Sequence, residues 1–220
     1  MSLDEIVPGA VVTVRLPAGG AALLWDALAA VGRRLTGDVR VVVVRGEGVD
    51  FFDDPAADLA PPSAGAISWL RRPDLIAVAA ICGRATGAGL HVALACDLRI
   101  AAHDAELAAT GAAAGDGSGV QPVLETVARL GELVGAARAL EIALTGRRVS
   151  GLDAVAIGLV NQSTPPDRLD DAVDAMVAAL GRRSRASATQ VKALLAAPNA
   201  AGRRHTDELV AGVRLAAGEN

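Results

Sequence analysis

One segment constrains this chain more than any other: Pro73-Asp-Leu-Ile-Ala-Val-Ala-Ala-Ile-Cys-Gly83-Arg-Ala-Thr-Gly87-Ala-Gly89-Leu-His91-Val-Ala-Leu-Ala-Cys-Asp97. The apolar run from Leu75 to Ile81 predicts a buried strand. Gly83, Gly87 and Gly89 then predict a turn, and an apolar run of helical length follows it. A turn that opens a helix leaves the first N–H groups of that helix without intrahelical acceptors. The helix dipole adds partial positive charge at the same place, so an anion or a polarised oxygen is favoured there. His91 interrupts the apolar run with a side chain that titrates near neutral pH.

The remaining patterns fill in the fold. Val11 to Leu16 is β-branched and stops at Pro17 and Gly19-Gly20, which predicts a strand and a turn. Leu24, Leu28, Val31 and Leu35 recur at helical spacing over 21–35. Val39 to Val44 predicts a buried strand closed by Gly46-Glu-Gly48, and Leu98 to Ala102 a short one. From Pro122 onward helical spacing dominates, over 123–133, 136–144, 151–157, 169–180, 186–195 and 204–215. Gly135, Gly146, Gly158 and Gly181 read as C-terminal stops. Ser150-Gly-Leu-Asp153 has the form of a capping box with Asp at its third helical position. Strand–helix–strand units followed by helices imply an α/β protein with a parallel or mixed sheet and a helical C-terminal region. The division expected is a core over 1–165 and a helical region over 166–220. Gly111 to Gly119 is low in complexity and reads as a flexible stretch.

Composition excludes several classes of function. Of 220 residues, 52% are hydrophobic, enough for one sizeable core. Aromatics are only 2%, Tyr is absent and the net charge is −4, so nucleic-acid binding is not expected. Cys82 and Cys96 are the only cysteines, and both read as small hydrophobes in a reducing compartment. No metal-ligand spacing occurs, so no metal site is expected. No uncharged run of about 20 apolar residues predicts a membrane span. The first residues lack the basic and apolar regions of a signal peptide, and a cytoplasmic location is the expectation.

Four segments in order carry a resemblance. The first is Val39-Arg-Val-Val-Val-Val-Arg-Gly46, and the second is Asp50-Phe-Phe-Asp-Asp-Pro-Ala-Ala-Asp58-Leu. The third is the glycine turn itself. The fourth runs Arg138-Ala-Leu-Glu-Ile-Ala-Leu-Thr-Gly-Arg-Arg-Val-Ser-Gly-Leu-Asp-Ala-Val-Ala-Ile-Gly-Leu-Val160. Together they resemble the enoyl-CoA hydratase/isomerase (crotonase) superfamily from about Val11 to Pro165. The resemblance implies a spiral of ββα units, with helices at the C-terminus that pack against neighbouring subunits as a homotrimer or hexamer. It implies an acyl-CoA ligand, with coenzyme A thioester as substrate and no tightly bound cofactor.

It also implies an oxyanion hole. Charge develops on the thioester oxygen during enolate chemistry, and losing one of its two N–H donors typically costs ~10²–10³ in rate. One donor falls on Ala88. The other falls on Pro55, which has no N–H, or after a one-residue shift on Asp54 or Ala56. We take Ala56 as the second donor, with coenzyme A contacts at Leu16, Ala57 and Leu59. The catalytic Glu found two residues after the turn's last glycine is His91 here, and a second falls on Gly111. Asp116 and Glu125 are nearby acids. Related isomerases and dehalogenases place an acid in about the loop of Asp116, so His91 and Asp116 are the expected catalytic pair. The segment between Asp58 and Trp69 is short, and the family's acidic-Gly…Phe…Lys-Arg tail is not found. Trp69 is expected in the core, and His103 and Glu106 at the surface.

The function expected is therefore that of an acyl-CoA lyase or isomerase with His in place of a glutamate. The alternative is a non-catalytic relative that binds acyl-CoA or supports a partner enzyme. A short-chain dehydrogenase, suggested by Thr86-Gly-Ala-Gly, fails because there is no Tyr for its catalytic pair.

Overall fold

The computed structural model describes residues 11–18, 20–53, 65–109 and 120–195, excepting the side chains of 120–124. Five parallel strands form the main sheet: β1 (Val11–Leu16), β2 (Val41–Gly46), β3 (Ile76–Ile81), β5 (Leu98–Ala102) and β8 (Gln162–Thr164), in the order β1-β2-β3-β5-β8. Its strands are near-continuous apolar runs because both faces are covered. Val42, Val44, Ala77, Ala79 and Ile81 face the larger core, with Leu24, Trp25 and Leu28 of α1 (Ala21–Arg34). Val41, Val43, Val78 and Ala80 face the other way, onto Leu169 and Val173 of α6 (Leu169–Gly181).

A second sheet is built from β4 (Arg84–Thr86), β6 (Glu106–Ala108) and β7 (Val149–Ser150); β4 and β6 run parallel, β6 and β7 antiparallel. Against β4 of this sheet lies α2 (Ala88–Ala95), with every residue buried. An apolar helix with no polar face belongs in such a position. Then follow α3 (Val120–Val134), α4 (Ala136–Thr145), α5 (Gly151–Ala156), α6 and a last described helix over 185–195. The helix expected over 204–215 lies outside the described residues.

The capping reading is refined. The Asp153 N–H donates to Ser150 Oγ (3.1 Å), as a cap requires, but Ser150 Oγ itself donates to Asp153 Oδ2 (2.8 Å). Gly146 ends α4 in the left-handed region, at φ 64°. Gly181, expected as a stop, is instead the last residue of α6, and the chain leaves through Arg182 at φ −70°.

Trp69 is buried in the larger core, and its Nε1 donates to the carbonyls of Leu28 and Ala66 (both 3.0 Å). A Cβ on Gly32 would lie 2.4 Å from Trp69 Cδ1. The anchored indole cannot swing away, so Gly32→Ala should destabilise the protein by about 1–3 kcal/mol despite alanine's better helix propensity. Denaturant unfolding of that variant checks this.

Candidate functional site at the start of the buried helix

Parallel sheets of this kind bind ligands beyond the carboxyl ends of their strands. Here β1, β2 and β3 end at Leu16, Gly46 and Ile81, and the chain then enters the glycine turn. Gly87 has φ 49° and ψ −112°, a conformation open to glycine but hostile to a side chain. That bend starts α2 at Ala88. A Cβ on Gly89 would lie 2.3 Å from the Phe52 carbonyl oxygen, so only glycine lets the Phe52 strand lie against the helix start.

That strand is fastened to the turn. The Phe51 N–H donates to Cys82 O (2.8 Å), Phe52 N–H to Arg84 O (3.0 Å), and Thr86 N–H to Phe52 O (3.1 Å). Thr86 Oγ1 donates to Asp53 Oδ1 at 2.6 Å. Arg84 grips both acids, with Nη2 2.9 Å from Asp50 Oδ2 and Nη1 2.7 Å from Asp53 Oδ2. Hydrogen bonding from Arg84 holds the Asp50 carboxyl below the usual carboxylate range. The chain is thus delivered beside the Ala88 N–H two residues before Pro55. The residues beyond Asp53 on which the second oxyanion donor and two coenzyme A contacts were expected, Ala56, Ala57 and Leu59, lie outside the described residues, as does Asp116. Leu16 closes β1 with its side chain fully buried, and its carbonyl accepts from Glu47 N–H (3.1 Å).

Ala88 is the first residue of α2, so its N–H has no acceptor within the helix. His91 stands one turn on, on the same face. Its imidazole is 3% exposed and meets the Trp25 indole edge-on, ring centroids 5.9 Å apart. Both ring nitrogens turn toward α3. Nδ1 is 3.0 Å from Thr126 Oγ1, and Nε2 is 3.4 Å from Glu125 Oε2. The second approach is not a hydrogen bond, and among the described residues Nε2 has no hydrogen-bond partner. Nor is it an ion pair: burial, with the Arg71 charge second, pushes the imidazole down to about 4, so the ring is neutral at pH 7.

Sequence reasoning placed Ala88 and His91 at the helix start, where α2 holds them, and named Glu125 as a nearby acid. It missed Trp25 and Thr126, which come from distant helices and carry no local motif. It also missed Arg84, whose only signal was a lone charge inside the glycine turn. His103, expected at the surface, is half-buried, with Nδ1 2.7 Å from Ser163 Oγ, because β8 pairs beside it. Glu106, also expected at the surface, has its side chain 42% exposed and paired with Arg148.

Residues 55–213 match the family described as enoyl-CoA hydratase/isomerase. A Mycobacterium tuberculosis (CDC 1551 / Oshkosh) protein described as a probable enoyl-CoA hydratase is 36% identical over 172 residues, covering 67% of this chain and 57% of the relative. The chain thus spans little more than half of that relative's length. A Thermobifida fusca YX structure assigned as an enoyl-CoA hydratase, in complex with CoA, superposes with TM-score 0.73 at 32% identity, covering 97% of this chain and 93% of that one. A monofunctional enoyl-CoA isomerase from M. smegmatis gives TM-score 0.73 at 32% identity, covering 88% and 90%.

Proposed function

Because this chain belongs to the enoyl-CoA hydratase/isomerase family, we propose that it binds a coenzyme A thioester at the N-terminus of α2 and activates the carbon beside the thioester carbonyl. The observation that carries the reading is the placement of Ala88 and His91. An N–H without a helical acceptor and a titratable side chain sit one turn apart on one face, where the family's chemistry needs an oxyanion donor and a proton-transfer group. Ala88 supplies one donor, and Ala56 is proposed for the second. Leu16, Ala57 and Leu59 are proposed to contact coenzyme A, Asp116 to orient His91, and His91 to stand nearest the reacting carbon. The CoA bound to the T. fusca relative supports the choice of ligand.

One observation favours a second reading, binding without turnover. His91 is deeply buried and resists protonation. A thermal-shift and turnover panel with crotonyl-CoA, longer enoyl-CoAs and free CoA separates the two. Turnover supports the first reading, stabilisation without turnover the second, and no response to any of them sinks both.

The reading includes assembly as a homotrimer or hexamer. Leu140 and Leu144 on α4, with Leu152 and Val155 on α5, are exposed large hydrophobics of the kind that subunit contacts cover. Light scattering at micromolar concentration should show an oligomer, and a stable monomer would end this part of the reading. No helix among the described residues is long and apolar enough to cross a membrane.

A further inference from the structure

The buried imidazole poses a problem that its surroundings resolve. A buried polar atom left unpaired is costly, so Nε2 of His91 needs a reason to be where it is. The Glu125 carboxylate stands 3.4 Å from it. On the other side of the ring, Nδ1 lies 3.0 Å from the Thr126 hydroxyl. A hydroxyl that donates to Nδ1 leaves the ring proton on Nε2, aimed at the carboxylate. A small turn of the Glu125 side chain then converts the 3.4 Å approach into a hydrogen bond. The Glu125 side chain is 44% exposed, so one end of the carboxylate can meet the imidazole while the other faces solvent or ligand.

Both ring nitrogens are therefore directed at α3. Among the described residues, Glu125 is the acid that stands against them. It reaches the tip of His91 from α3, while the two positions where the family keeps glutamates hold His91 and Gly111.

We propose that Glu125 is the catalytic carboxylate that exchanges a proton with the carbon beside the thioester carbonyl, and that His91 is its positioning residue. The inference rests on the coenzyme A thioester reading and deepens it, moving the proton-transfer role from His91 to Glu125. In the step, a Glu125 oxygen takes a proton from that carbon. The C–H electron pair becomes the new C=C bond, and the carbonyl π pair moves onto the thioester oxygen, held by the Ala88 N–H. Return of the proton from the carboxylic acid restores the thioester. No co-reactant is consumed. Neutral His91 suits its role: it donates to the ionised carboxylate without adding a charge to the pocket, where Arg71 already acts on the ring.

The test uses the full chain with butyryl-CoA in D₂O. NMR follows deuterium entering the position beside the carbonyl, and calorimetry measures binding in parallel. The expected result is exchange by the wild type and a ~10²–10⁴-fold loss in Glu125→Gln, with affinity kept within about threefold. Glu125→Asp should recover part of the rate. His91→Gln, which keeps an N–H donor, should retain more exchange than His91→Leu. A merely structural role for His91 would leave His91→Gln no more active than His91→Leu, and would overturn its assignment. Glu125→Gln that exchanges within about threefold of wild type overturns the role of Glu125 and leaves the thioester site standing. Binding of butyryl-CoA with no exchange by the wild type overturns it in favour of binding without turnover. Absence of binding to butyryl-CoA and to free CoA removes both the inference and the reading beneath it.

Discussion

Ala88→Pro is expected to lower turnover of any accepted coenzyme A thioester by ~10²–10³, the usual effect of losing one oxyanion donor. The substitution is chosen because the backbone there tolerates it. Ala88 occupies the first position of α2, where proline's missing N–H breaks no helical bond and its fixed φ suits the helix. The preceding residue is normally restricted by the proline ring. Here it is Gly87 at φ 49° and ψ −112°, the mirror image of the extended conformation that prolines favour before them. Glycine is achiral and adopts either equally well. The ring does add bulk at a site only 7% exposed, so a destabilisation of about 1–3 kcal/mol is expected alongside the catalytic loss. The paired controls are a melting curve and the affinity for free CoA, which should change little because the thioester oxygen is the group affected. A folded Ala88→Pro variant with wild-type turnover would remove the oxyanion site from this turn.

How far the sequence reached depended on length and period. β1, β3 and α2 were legible because six to eight consecutive residues carry one signal, and buried parallel strands in particular read as unbroken apolar runs. The small sheet was not. β4 and β6 have three residues each and β7 has two, too few to show a period of two. They exist because of neighbours: β4 is held from both sides, by β6 and by the Phe52 bridge to Ala85. His103 was misjudged for the same reason, since the three-residue β8 that half-covers it has no signature of its own.

The site shows the same limit at the level of side chains. The sequence could place Ala88 and His91 at the helix start, because turn and helix are local events. It could not say that Trp25 would meet His91 edge-on or that Thr126 would take its Nδ1, since those contacts join three helices far apart in the chain. Burial among the packed helices, with the Arg71 charge second, decided the protonation state of the imidazole. A histidine in that position suggested a base active near neutral pH, whereas burial among apolar groups makes it a neutral ring at that pH.

His91→Ala should therefore change two measurements at once. Turnover should fall by ~10²–10⁴, the range for a lost acid–base group, whether the imidazole carries the proton itself or holds the carboxylate that does. Stability should change its dependence on pH. In the folded protein the imidazole is pushed down to about 4, from 6.5 in the unfolded chain. Above pH 6.5 it is neutral in both states and adds no slope. As pH falls from 6.5 toward 4, the unfolded chain binds a proton that the folded protein refuses, so folding weakens by about 3 kcal/mol across that window. Below it both states are protonated and the slope vanishes again. The variant lacks this term. It begins less stable near neutral pH, because the buried ring leaves a cavity beside Trp25, yet it should lose less stability on acidification than the wild type. Depressed carboxyls such as Asp50 and Asp74 add acid sensitivity of their own, but equally in both proteins, so they cancel in the difference. Guanidinium unfolding of both proteins between pH 7 and pH 4 reads the effect directly. Parallel stability curves would mean that His91 is not buried as a neutral ring in solution, and unchanged turnover in a folded variant would take it out of the proton-transfer site altogether.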